Sequence, residues 1–118
     1  MASAAPARRC QVAIGRAPNT EGLGLETVGV ATERGFVQVD ADRRSTVPHI
    51  FAIGDVAGPP MLAHKASHEA VQVIEHLAGL PTHPVDASRI PSCTYCHPQV
   101  ASIGYTEAAA RETGHEVK

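Results

Sequence analysis

The chain has 118 residues, of which 43% are hydrophobic and 19% charged, a balance that argues against an intrinsically disordered tract. Ten basic and twelve acidic side chains leave a formal net charge of −2, so there is no electrostatic case for nucleic acid or an anionic membrane as partner. No apolar run approaches the roughly 20 residues a membrane-spanning helix requires, and the length allows one modest domain or pieces of two. Residues 1–9 hold Ala, Ser, Pro and Arg without an apolar core, so they read as a frayed or artificial start and not as a secretory signal. Cys10, Cys93 and Cys96 are an odd number and make no disulfide framework, which points to a reducing, cytoplasmic setting.

In chain order, Cys10-Gln11-Val12-Ala13-Ile14 reads as a short strand, ended by Gly15 and the Pro18-Asn19 turn. Residues 22–29 are glycine-rich but lack Gly-x-Gly-x-x-Gly spacing and follow a turn, not a strand. The expectation there is a short helical turn with Leu23, Leu25 and Val28 packing inward. Phe36-Val37-Gln38-Val39 is a second short strand, with Gly35 placed for a hairpin. The polar loop 40–45 carries Arg43 and Arg44, whose charge is expected to be solvated at the surface.

Residues 46–70 hold the centre of the reading. Ile50-Phe51-Ala52-Ile53 is continuously apolar, as in a strand covered on both faces. Gly54 permits close approach of a ligand or another backbone. Asp55 then sets a carboxylate at the strand's carboxyl end, where open α/β sheets bind ligands. Being acceptor-only, that group suits a ribose or polyol hydroxyl. A helix is expected from about Met61-Leu62, its free N–H groups and positive dipole end facing whatever lies before them. Its apolar face is read as Leu62, Ala66, Ala70, Val73, Ile74 and Leu77, and its wet face as Lys65, Glu69, Gln72, Glu75 and His76, with Glu69 and Val73 at the border. Gly79 and Pro81 end it. The arrangement suits a nucleotide-type cofactor.

Residues 80–89 read as a linker, followed by strands at 92–95 and 100–105. Thr106 caps a last helix, residues 107–113, which Gly114 ends, and Val117-Lys118 begins a further strand. Both ends of the chain are expected to cut through structure.

Other motifs compete. Cys93-Thr94-Tyr95-Cys96-His97 has the form of a c-type haem attachment site, for which Met61 or His64 is a conceivable second ligand. No secretion signal accompanies it. A zinc site on the same residues lacks a second ligand pair, and a thioredoxin-type reading lacks the βαβ setting. His64 and His68 are four apart but lack the His-Glu-x-x-His pattern. No metal site and no catalytic residue is expected in this chain.

Three stretches resemble one family in that family's own order. Thr46-Val47-Pro48-His49-Ile50-Phe51-Ala52-Ile53-Gly54-Asp55 is similar to the second FAD-binding signature of pyridine nucleotide–disulfide oxidoreductases. Gly15-Arg16-Ala17-Pro18-Asn19-Thr20 resembles the exit from their NAD domain. Met61-Leu62-Ala63-His64-Lys65-Ala66 and Ile90-Pro91-Ser92-Cys93-Thr94-Tyr95, with residues 98–107, resemble the dihydrolipoamide-oxidising members; glutathione and mercuric reductases share the Gly54-Asp55 signature.

The resemblance implies an α/β fold: a partial Rossmann-like FAD/NAD-binding domain plus the start of an α+β dimerisation domain. Residues 10–19 would be a remnant of the NAD-binding domain, 20–88 the C-terminal segment of the FAD-binding domain, and 89–118 the beginning of the interface domain. It implies FAD contacts at Asp55, Met61, Leu62, Ala63 and His64, and NAD approach at Gly15. It further implies a homodimeric parent that serves 2-oxo acid dehydrogenase complexes, oxidising dihydrolipoamide through a redox disulfide and FAD with hydride transfer to NAD. The family's two Gly-x-Gly-x-x-Gly motifs, its Cys-x-x-x-x-Cys and its His-Pro…Glu are absent from these 118 residues. Cys96 stands where the family commonly has Thr. The chain alone is therefore expected to be inactive, and an inert remnant is the competing reading.

Overall fold

The computed structural model describes residues 12–117. The expected start at 1–9, the Cys10 and Gln11 end of the first strand, and Lys118 lie outside them. Two antiparallel hairpins and two helices carry the regular structure. In the first hairpin, β1 (Thr32–Glu33) pairs with β2 (Phe36–Val37), with Thr32 opposite Val37 and Glu33 opposite Phe36. Gly35 turns it at a φ of 83°, in the left-handed region that glycine enters without a Cβ penalty. A 3-10 turn, Leu25–Val28, precedes it and ends on Gly29, also left-handed.

α1 (Ala63–Leu77) begins two residues after Met61 and closes just before Gly79, as the sequence indicates. After a 3-10 turn at Ala87–Arg89, β3 (Ser92–Thr94) and β4 (Val100–Ser102) form the second hairpin, with Cys93 opposite Ala101. α2 (Glu107–Glu112) follows. Thr106 caps it: its Oγ1 accepts from the Ala109 N–H at 3.3 Å, a cap of the kind worth about 1 kcal/mol.

Four expectations need correcting. Residues 12–14 and Val117 are not in strands. Residues 50–53 are not a sheet-centre strand either: Phe51 makes one isolated bridge to Arg44, and all four are only half-buried. Leu23 and Val28 are exposed, and Val30 takes the inward position beside the 3-10 turn.

The fourth correction concerns α1, which is turned over relative to its hydropathy pattern. The residues it buries are Lys65, Glu69, Gln72 and Val73, whereas Ile74 and Leu77 are 66% and 61% exposed. The supposed wet face packs on the chain's own loops because those loops offer backbone groups for charged side chains to bind. Gln72 bridges two of them, donating from Nε2 to the Ala41 carbonyl at 2.8 Å and accepting from the Val85 N–H at 3.4 Å. Arg43 and Arg44 are likewise not merely solvated. Arg43 pairs with Glu69, while Arg44 lies 5.5 Å over the Phe51 ring and 3.0 Å from His76 Nε2.

Among the described residues, the buried hydrophobic ones are Val30, Val37 and Val73, joined by the polar Ser45, Lys65, Glu69 and Gln72. The radius of gyration is 19.0 Å, against about 13.5 Å for a compact domain of this length. The described residues thus bury little apolar surface for their number. Since Ile74 touches little, Ile74→Ser should cost under about 0.5 kcal/mol in a urea titration, whereas burial in a core would make it cost several.

Candidate functional site

The segment between Ile53 and α1 is built on a tight turn. Gly54–Ala57 forms one 3-10 turn, entered from extended Ile53 and left through Gly58. Gly54 has a φ of 74°, and a Cβ placed on it would meet the Ala66 Cβ at 3.1 Å. The close approach read from the sequence is therefore an approach to α1, with the small Ala66 as its counterpart.

Charged side chains of α1 hold this turn. The Glu69 carboxylate, 0% exposed, accepts the Gly54 N–H at 2.7 Å. The Lys65 ammonium, on a residue 3% exposed, donates to the Gly54 carbonyl at 3.0 Å and the Gly58 carbonyl at 2.8 Å. Glu69 Oε1 lies 3.2 Å from both Lys65 Nζ and Arg43 Nη1. Neither contact has hydrogen-bond geometry, so Oε1 is held by charge alone, and Arg43 Nε is a buried donor without a hydrogen-bond partner among the described residues. Arg43 reaches this point from a loop whose turn is fixed by Asp40, which accepts the Asp42 and Arg44 N–H groups at 2.9 and 3.0 Å. Its own φ is 64°, unusual for a residue with a side chain.

The residues singled out by sequence fall in three places. Asp55 projects from the turn, exposed and unpaired among the described residues. Met61 and Leu62 lie with Gly15, Arg16, Phe36, Pro59, Pro60 and Ser92 around a groove of about 480 Å³. Leu62 is the N-cap of α1 and no side chain caps that end, so the first-turn N–H groups of Ala63, His64 and Lys65 stay open. Ala63 is exposed at this end. His64 faces a second cavity of about 280 Å³, between α1 and the linker, where its Nε2 lies 2.7 Å from the Pro91 carbonyl oxygen. The structure thus brings Gly15 together with Met61 and Leu62 around one groove, while Asp55 and His64 do not line it.

Three contributors escaped sequence reasoning. Arg16 donates from Nη2 to the Met61 carbonyl at 2.9 Å and so ties residues 15–16 to the entry of α1. Hydropathy assigns Lys65 and Glu69 to solvent, although their i,i+4 spacing after a Gly-Asp turn is an available signal of pairing. Elsewhere, Ser88 donates both its hydroxyl and its N–H to Asp86, which holds that carboxyl below its ordinary range. That contribution is present above the unfolded carboxyl's pKa and is lost as pH falls through the lowered one.

Cys93 and Cys96 are free and exposed, and the Cys96 thiol lies 2.9 Å from the Pro98 carbonyl oxygen. Among the described residues, no group of three or more His, Cys, Asp or Glu could hold a metal ion, and no helix is long and apolar enough to cross a membrane. An uncapped helix end and an exposed carboxylate can bind a polar ligand but supply no redox group.

Comparison with known proteins gives this geometry a family. Residues 2–70, more than half of the chain, match the pyridine nucleotide-disulphide oxidoreductase family, and residues 90–118 match the dimerisation domain of the same family. Over 107 residues the chain is 56% identical to a dihydrolipoyl dehydrogenase of Rhizobium etli, covering 90% of this chain and 22% of that protein. A dihydrolipoyl dehydrogenase of Bacillus subtilis is 46% identical over 112 residues, which is 95% of this chain and 24% of the relative. The chain therefore spans less than a quarter of the length of these relatives.

Solved structures share the fold. LpdA from Mycobacterium tuberculosis superposes with a TM-score of 0.76 at 29% identity, over 85% of this chain and 22% of that one. The HOCl-induced flavoprotein disulfide reductase RclA from Escherichia coli gives 0.80 at 31% identity, over 90% and 25%. The mixed helix-and-strand fold is that of part of these proteins.

Proposed function

Because the chain belongs to the pyridine nucleotide-disulphide oxidoreductase family, we propose that it supplies one wall of an FAD site and a fringe of an NAD site for the oxidation of dihydrolipoamide. The observation that supports this reading is an exposed, unpaired Asp55 carboxylate on the turn that Lys65 and Glu69 of α1 hold, together with the uncapped N-terminus of that helix. An acceptor-only group suits the hydroxyls of the ribityl or phosphate side of FAD. Open N–H groups at Ala63 and His64, with the partial positive charge of the helix end, suit the flavin's pyrimidine edge, which gains negative charge on reduction. Met61 and Leu62 would lie along the flavin, and Gly15 would let NAD approach without a side chain in the way. The residues present fit the group.

FAD, when bound, supplies the two-electron relay between a dithiol and NAD. The chain's own residues bind and orient it. Cys10, Cys93 and Cys96 have neither the spacing nor the place of the family's redox pair, so these 118 residues are expected to show no turnover by themselves. In the same reading, residues 10–19 belong to the NAD-binding part, 20–88 to the FAD-binding part and 89–118 to the interface part. The match of residues 90–118 to the dimerisation domain supports a homodimer. Service to 2-oxo acid dehydrogenase complexes, which the resemblance of the sequence motifs implies, and a cytoplasmic setting, read from the odd cysteine count, belong to the same proposal.

Titrating the purified chain with FAD, read by flavin fluorescence, should give saturable binding near about 1 μM or tighter. Asp55→Ala should weaken it about tenfold or more, the loss of one hydrogen bond to a charged group. Absence of saturable binding, or equal affinity in Asp55→Ala, would contradict the assignment.

A further inference from the structure

The polar contacts between α1 and the turn at 54–58 assign a role to two residues outside the set proposed to touch FAD. We propose that Lys65 and Glu69 are positioning residues, which set the direction of Asp55 and the spacing between its turn and the N-terminus of α1; this rests on the FAD reading above.

The geometry is specific to that task. Glu69 grips the N–H side of the turn at Gly54, and Lys65 grips the carbonyls of Gly54 and Gly58. Asp55 lies between these two gripped residues. Three anchors on a turn this short leave it little freedom to rotate. The two side chains also leave α1 one turn apart, so they register the turn along the helix as well as against it.

Both gripping groups are buried, so water competes little for the backbone groups they hold. Their charges offset each other internally, with Arg43 as a third member. A charge directed at a ligand would instead stand open to the groove, and neither residue lines it. A helix that only needed to pack could fill these places with apolar residues, often without loss of stability. Retention of a buried cation and anion aimed at one turn's backbone is explained by control of that turn.

The decisive comparison uses the whole chain and four variants: Lys65→Met, Lys65→Arg, Glu69→Gln and the control Gln72→Leu. Gln72 is equally buried on the same helix but anchors Ala41 and Val85, not the turn. FAD affinity is read by fluorescence, helix content by far-UV circular dichroism, and the turn by the amide resonances of Gly54, Asp55 and Gly58.

Lys65→Met should keep its helix, shift the Asp55 and Gly58 amides and weaken FAD binding about tenfold or more. Lys65→Arg should recover most of that affinity. Glu69→Gln, the milder change if Lys65→Met does not fold, should move the Gly54 amide upfield as a carboxylate acceptor becomes an amide. Gln72→Leu should lower stability without moving the turn resonances or the affinity. If Lys65→Met or Glu69→Gln folds with unshifted turn amides, or with affinity equal to the parent chain's, the positioning role is wrong. If the parent chain itself fails to bind FAD, the functional reading fails, and the amide shifts alone then decide whether the two residues hold the turn.

Discussion

Glu69→Ala should be among the most damaging single changes in the chain, at about 3–5 kcal/mol in urea denaturation at neutral pH. The carboxylate is fully buried and faces the Lys65 ammonium, the Arg43 guanidinium and the Gly54 N–H at once. Removing it leaves a buried cation without its counter-charge and a backbone donor without an acceptor. Each is costly where water cannot enter. With only Val30, Val37 and Val73 as a buried apolar core among the described residues, those residues have little other stabilisation to absorb that loss. A cost below about 1 kcal/mol would show that the carboxylate does not anchor the turn.

Gly54→Ala should cost about 2–4 kcal/mol, from two separable causes. A left-handed φ of 74° is worth roughly 1–2 kcal/mol against a residue with a Cβ. The new methyl would also meet the Ala66 Cβ at 3.1 Å, an overpacked contact in a place with little slack. Ala66→Gly relieves the second cause and not the first. The double variant should therefore be more stable than the sum of the single changes by about 1 kcal/mol or more, measured as a double-mutant cycle. Simple additivity would mean that the helix and turn do not touch there.

These two residues also show what the sequence revealed and what it hid. The span of α1, the Thr106 cap and the hairpin at Gly35 were legible because caps, glycines and helical periodicity are local signals. The buried side of α1 was not. Hydropathy assigns Lys65, Glu69 and Gln72 to water, yet each meets backbone groups of a loop, and periodicity carries no record of those partners. Ile50 to Ile53 failed for a related reason. A continuous apolar run says only that a segment is sheltered by something, and among the described residues Phe51 makes only a single bridge with Arg44.

The candidate site was legible as a motif and not as a shape. Gly54-Asp55 and Met61-Leu62-Ala63-His64 are local strings, and the match over residues 2–70 supports the family they suggested. That Gly15 shares a groove with Met61, that Arg16 holds the Met61 carbonyl and that His64 faces a different cavity are consequences of tertiary packing. Arg43 is the clearest case. Its place depends on the Asp40 turn 29 residues before its i,i+4 partner pair is complete at Glu69, beyond the reach of any local rule.

The proposed wall of an FAD site lies at the Asp55 turn and the N-terminus of α1. Mapping amide shifts of the isotope-labelled chain on adding FAD tests it most directly. The expected result is perturbation concentrated at Asp55, Ala63 and His64, with smaller changes at Gly15 and Leu62. Shifts confined to residues 85–90 of the linker cavity, or none at saturating FAD, would contradict it.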